Sequence, residues 1–219
     1  MRENSKIVDD LLLKGEFLIE QGNLKEALEC FNKAHKIDPN EVDTLYFKGL
    51  TLELMGSFRE AVKWYDKALA LNPKDESVLI SSGITLHILG EYKSANERYD
   101  RVISINPLNK EAWYRKGMTV GAMGRFEEAI DYHERAIQID PSFMNAVFGK
   151  AMALELAGKD PVAHARELYQ LVVYGYNVVV KVDIYVVIPV MGSAGIECEV
   201  KLHRVHGIGN ELYGIAVVP

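Results

Sequence analysis

Six histidines and two cysteines carry the widest chemical range in this chain. His203 and His206 could ligate a metal, but a zinc site needs three or four ligands and no third lies close by. They read as solvent-facing, and no metal site is expected. Gly207-Ile208-Gly209 resembles a phosphate loop in composition only. It lies between two strand patterns, has no Lys-Ser or Lys-Thr after it and opens no helix, so it reads as a hairpin turn. His133 stands where the chain elsewhere places an aromatic residue, which predicts a buried neutral imidazole. His87 is the one histidine with a place on a binding surface. Cys30 and Cys198 lie in different parts of the chain, which argues against a disulfide framework and fits a reducing cytosol. No nucleophile–base pair and no close carboxylate pair follows from spacing. The chain therefore reads as a non-enzyme, with no catalytic residues and no cofactor.

The elements that position these residues follow one period. Gly15, Gly49, Gly83 and Gly117 recur at a step of 34, as do Gly22, Gly56, Gly90 and Gly124. Ala27, Ala61, Ala95 and Ala129 keep the register, and so do Leu24, Phe58, Tyr92 and Phe126. Pro39, Pro73, Pro107 and Pro141 close each unit. A fixed period of this length marks a repeat array. The windows are 8–41, 42–75, 76–109, 110–143 and a degenerate fifth over 144–172. In the second window Leu45, Leu52 and Met55 mark one helical face, and Phe58, Ala61, Val62, Tyr65 and Ala68 mark another. Gly56 and its equivalents end the first helix of each pair, and Asn72-Pro73 and its equivalents end the second. Gly49 and Ala61 are expected to face each other at the helix crossing, with Tyr65 and Tyr99 filling the wedge toward the next repeat.

Composition agrees with a folded protein: 48% of residues are hydrophobic and 26% charged. A formal net charge of -6 argues against nucleic acid as the main partner, because phosphate binding needs clustered Lys and Arg. The polar start, Met1 to Lys6, predicts no signal peptide, and no apolar run reaches spanning length. The expected compartment is the cytoplasm, with no membrane contact.

Leu45, Gly49, Leu52, Gly56, Phe58, Ala61, Tyr65, Ala68 and Pro73 resemble the tetratricopeptide repeat pattern. Trp113, Gly117, Gly124, Phe126, Ala129, Ala136 and Pro141 resemble it again. The resemblance covers roughly residues 8–172, with Val102, His133 and Ala151 as departures. It implies a mainly α fold: a right-handed solenoid of about five helix pairs whose first helices line a concave groove that holds peptide segments of partner proteins. Carried over residue by residue, the groove positions include Leu12 in the first copy and Tyr46, Phe47 and Leu50 in the second. The third copy gives Ile80, Ile84 and His87. The fourth gives Tyr114, Arg115 and Met118, and the fifth Phe148 and Met152. The apolar members make either a greasy groove, as exposed apolar patches usually mark interaction sites, or core facing into the helix pairs. A chaperone-tail carboxylate clamp is not expected. Copies one to three carry Leu12, Glu16, Phe47, Ser77 and Ser81 at its places. Copies two to four carry Tyr46, Leu50, Ser81, Glu111 and Arg115, and only Arg115 fits.

After residue 172 the period stops, although Asp160-Pro161 predicts one more helix start, running to about 173. Alternation through Val180, Val182, Ile184, Val186 and Ile188, then Ile196, Cys198, Val200 and Leu202, then Leu212 to Val218, predicts a small antiparallel β-meander over 173–219. Three strands alone are marginal. The meander caps the solenoid, pairs its edge with a second copy to make a homodimer, or belongs to a larger β-domain; the cap is the favoured reading. The function expected of the whole is a scaffold or adaptor that binds an apolar or amphipathic peptide of a protein partner. The alternative is a structural protein that assembles with itself through the β-edge or the groove.

Overall fold

The computed structural model describes residues 2–159. Among these residues the chain is helical, in nine segments: α1 Arg2–Glu20, α2 Leu24–Ile37, α3 Val42–Leu54, α4 Phe58–Leu71, α5 Glu76–Ile88, α6 Tyr92–Ile105, α7 Lys110–Ala122, α8 Phe126–Ile139 and α9 Met144–Leu156. The helix expected from residue 161 and the β-meander lie outside the described residues.

Local chemistry ends each helix where the period places its Gly and Pro. Gly56 takes φ 77°, and its N–H donates to the Glu53 carbonyl while Ser57 N–H donates to that of Leu52, each at 2.8 Å. This paired closure needs a left-handed residue, and glycine adopts it without a Cβ clash. At the other end of the repeat, Asn72 precedes Pro73 and leaves the helical region at φ -125°, ψ 87°. The next helix starts on a side-chain cap: Asp75 accepts from Val78 N–H at 3.1 Å, as Asn109 does from Ala112 N–H at 3.0 Å.

The core is a file of buried rings. Phe31, Tyr65 and Tyr99 are the largest of the fully buried side chains, each stabilising by about 2–3 kcal/mol relative to exposure. Each lies over a glycine of its own repeat. A Cβ added to Gly49 would stand 2.6 Å from Tyr65 Cε1, and one added to Gly83 would stand 2.5 Å from Tyr99 Cε1. This corrects the expectation that Gly49 faces Ala61: the glycine makes room for the Tyr65 ring. The alanine row meets another position, since a Cβ at Gly121 would lie 3.6 Å from Ala129 Cβ.

Contacts between helices separate two layers. Each helix packs on its neighbours in sequence. The backbones of the odd-numbered helices also approach one another, α1 to α3 and onward to α9, whereas α2, α4, α6 and α8 meet only through side chains, as in Asp66 with Arg98 and His35 with Trp64. Helices whose backbones converge lie on the inner side of a curved array and those whose backbones diverge lie outside. The odd helices therefore line the concave face.

Candidate binding groove

The concave face is built from equivalent positions of α3, α5, α7 and α9. Tyr46, Leu50, Ile80, Ile84 and Tyr114 are half-buried. Met118, Phe148 and Met152 are 39%, 63% and 62% exposed. Tyr46 packs against the central core and tilts onto Tyr65, with ring centroids 6.0 Å apart. Phe47 stacks on Phe31 at 5.5 Å with the planes 9° apart, closing the first junction. Tyr114 meets Phe143 edge-on at 5.4 Å and lies 5.6 Å from the His133 ring.

Leu12 does not join this face. It is 8% exposed and buried with Val8, Ala27 and Phe31, and Phe47 packs over the same cluster. The expectation that Leu12 lines the groove is corrected: the first junction is closed by large rings that cover it.

Beneath the apolar row runs a polar ladder. Tyr65 Oη donates to Glu53 Oε2 at 2.8 Å, and Thr85 Oγ1 lies 2.7 Å from the same oxygen. Thr85 Oγ1 is also 2.9 Å from the Ser81 carbonyl. One hydroxyl proton serves one acceptor at a time, and the bond to the carboxylate is the stronger. One repeat further on, His87 takes the place of Glu53 and Thr119 that of Thr85, with Nδ1 and Oγ1 2.9 Å apart. Burial, with Glu53 second, raises the Tyr65 phenol above its ordinary range. Burial, with the Arg115 charge second, lowers the His87 imidazole. Both rungs therefore favour neutral rings near pH 7.

Ile84, His87, Arg115 and Met118 come together around one hollow with Tyr99 and Thr119. Its volume of about 30 Å³ holds roughly a single water, so it is a dimple in a surface and not a small-molecule pocket. Arg115 is committed to Glu111 at 2.6 Å. His133 lies deeper than the others, 2% exposed, with its Nδ1 lacking a hydrogen-bond partner. Burial pushes it down to about 4. Gly117 and Gly149 flank it, and a Cβ on either would stand under 3 Å from the ring.

The threonine rungs were not among the residues singled out by sequence. Their signal is Thr51, Thr85 and Thr119 at the step of 34, each bonded to the carbonyl four residues back. Among the described residues no group of three or more His, Cys, Asp or Glu is placed to hold a metal. No described helix is long and apolar enough to cross a membrane.

Stacked helix pairs with one continuous inner face define a helical repeat scaffold. Residues 10–74 and 111–143 each match the tetratricopeptide repeat. The chain carries tetratricopeptide repeats over these residues. Its fold is similar to the crystal structure of MamA, at 25% identity over 80% of this chain and 92% of that one, with a TM-score of 0.67. It is also similar to MamA from Desulfovibrio magneticus RS-1, at 22% identity over 77% and 94% of the two chains, with a TM-score of 0.66. Pseudomonas aeruginosa PilF is similar at 21% identity over 79% and 78%, with a TM-score of 0.68. Identities this low carry the fold alone in the last two cases. No curated protein matches the sequence.

Proposed function

We propose that this protein is a non-enzymatic scaffold whose concave face holds an apolar or amphipathic segment of a partner protein. The supporting observation is the row of half-open apolar side chains along the odd helices: Tyr46, Leu50, Ile80, Ile84, Tyr114 and Met118, continued by Phe148 and Met152. Exposed apolar surface of this extent is unfavourable in water unless something covers it. Two or three anchor side chains at roughly 1.5–3 kcal/mol each, less ordering costs, give affinity on the order of micromolar. His87 and Arg115, the latter paired with Glu111, lie at the dimple and orient the segment. The net charge of -6 favours a protein partner over nucleic acid or an anionic membrane surface, in a cytoplasmic setting.

The test is a photo-crosslinking residue placed at Met118, with the same residue at Lys63 on an outer helix as control. Partner peptides crosslinked at Met118 and lost in Tyr46→Ala with Ile84→Ala support the groove. Equal crosslinking from Lys63, or no effect of the double substitution in a protein that still melts cooperatively, sinks it.

A further inference from the structure

Equivalent positions across the array show what each repeat junction uses to balance charge. At three junctions a carboxylate on the second helix of one repeat meets a cation from the next. Asp66 pairs with Arg98 at 2.6 Å, Asp100 with Lys116, and Glu134 with Lys150 at 3.2 Å. Lys48 stands two repeats before Lys116, and Asn32 stands one repeat before Asp66. The first junction thus keeps the cation and loses the anion. Lys48 is only 4% exposed, and among the described residues no carboxylate lies within ion-pair distance of it.

The surroundings are cationic and polar. Lys48 Nζ lies 3.5 Å from the centroid of the Trp64 ring, and Lys67 Nζ lies 3.7 Å from the same centroid. His35 meets that indole edge-on at 5.1 Å, and its Nδ1 is buried without a partner. An aromatic face attracts an ammonium but carries no net charge. Lys116 shows the difference: it lies over the Tyr132 ring at 4.6 Å and still pairs with Asp100. Burial, with the Lys67 charge second, pushes the Lys48 ammonium down to about 8, against a weaker pull from Glu60 on α4. A buried amine in this state lacks a counter-ion.

We propose that the junction of α2, α3 and α4 is a carboxylate site, in which a ligand carboxylate held by Lys48, Lys67, His35 and Asn32 supplies the charge that Asp66, Asp100 and Glu134 supply elsewhere. Two ammonium groups supply the positive charge. The Asn32 amide and the His35 ring N–H supply directional donors, which a planar two-oxygen anion can accept together. A small free carboxylate and an Asp or Glu side chain of a partner share this chemistry. None of these residues lies among those proposed for the groove, so the two readings fail separately.

The experiment follows the Lys48 side chain by NMR in the full chain, with lysine labelled at Cε and Nζ. Its titration midpoint is read in sodium chloride, in sodium acetate at equal ionic strength, and with a short polyglutamate peptide. A carboxylate seated on Lys48 raises the midpoint by about one unit over chloride, a tenfold change in proton affinity. Asn32→Asp raises the midpoint with no ligand present and abolishes the response. Response to acetate and peptide alike assigns a free carboxylate, and response to the peptide alone assigns a partner's side chain. A midpoint the same in all three solutions overturns the site, as does a response that survives Asn32→Asp.

Discussion

The Thr85 hydroxyl stands 2.7 Å from the Glu53 carboxylate, so one oxygen of Glu53 joins α3 to α5 while also accepting from Tyr65 on α4. Three helices from two repeats meet on a single acceptor. Apolar contact sets how closely neighbouring pairs pack, but it is tolerant of sliding. A directed bond at this place holds the repeats in register and fixes the spacing of the apolar row above it.

Thr85→Val should therefore cost more than loss of an exposed hydroxyl. The expected destabilisation is about 1–2 kcal/mol, typical of a hydrogen bond to a charged group. Glu53→Gln should lose part of the same energy, and the double variant should cost less than the sum of the two. Denaturant midpoints at unchanged slope measure this, and strict additivity would show that the bond carries no coupling.

Two glycines of the third repeat should respond to alanine for different reasons. Gly83→Ala pushes a methyl to 2.5 Å from Tyr99 Cε1 and should cost about 1–3 kcal/mol by overpacking. Tyr99→Leu in the same chain should recover part of that loss. Gly90→Ala meets nothing within 4 Å but holds φ at +77°, and should cost about 1 kcal/mol with no rescue from Tyr99. Thermal melts of the four proteins distinguish the causes.

His133 should make the fourth repeat sensitive to acid. Its folded-state value of about 4 lies below the ordinary 6.5, so the unfolded chain binds the proton more readily. The stabilisation is complete above pH 6.5 and is lost as pH falls through the window down to 4. At pH 5 the expected loss is about 2 kcal/mol relative to pH 7. His35 and His87 shift in the same direction through burial and add to the slope. His133→Phe should flatten most of the dependence; an unchanged slope in that variant would place the acid sensitivity elsewhere.

Asp100→Asn should turn Lys116 into a second Lys48. The Lys116 side chain is 14% exposed, and burial works against its charge, while the Asp100 bond and charge together hold the ammonium above its ordinary value. Without Asp100 the direction reverses. Stability should fall by about 1 kcal/mol near neutral pH. Lysine NMR in the variant should show the Lys116 midpoint dropping, and a midpoint that stays above the ordinary range would refute the assignment.

Helix ends and the repeat register were legible because they rest on local chemistry: positive-φ glycine, the residue before proline, and a side-chain cap. Partner choice across the array was less so. The recurrence of Gly49 and Ala61 shows that two places need small residues, but not that the Tyr65 ring occupies the space at Gly49. Leu12 occupies the register place of Tyr46 and Ile80, yet the large Phe31 and Phe47 rings cover it. The threonine rungs pair residues 32 apart, a distance that local periodicity does not report. The expectations for 160–219 lie outside the described residues, so the homodimer and cap readings stay with the sequence.

Because α2, α4, α6 and α8 meet only through side chains, such as the Asp66–Arg98 pair, the rim of the coil has less to break than its lining when it flexes. Widening or tightening the pitch strains the inner seam first, where the backbones lie closest and bonds such as Thr85 to Glu53 act as stops. Over the described residues the array is a spring stiffer along its lining than at its back, where side-chain bridges alone resist a change of pitch.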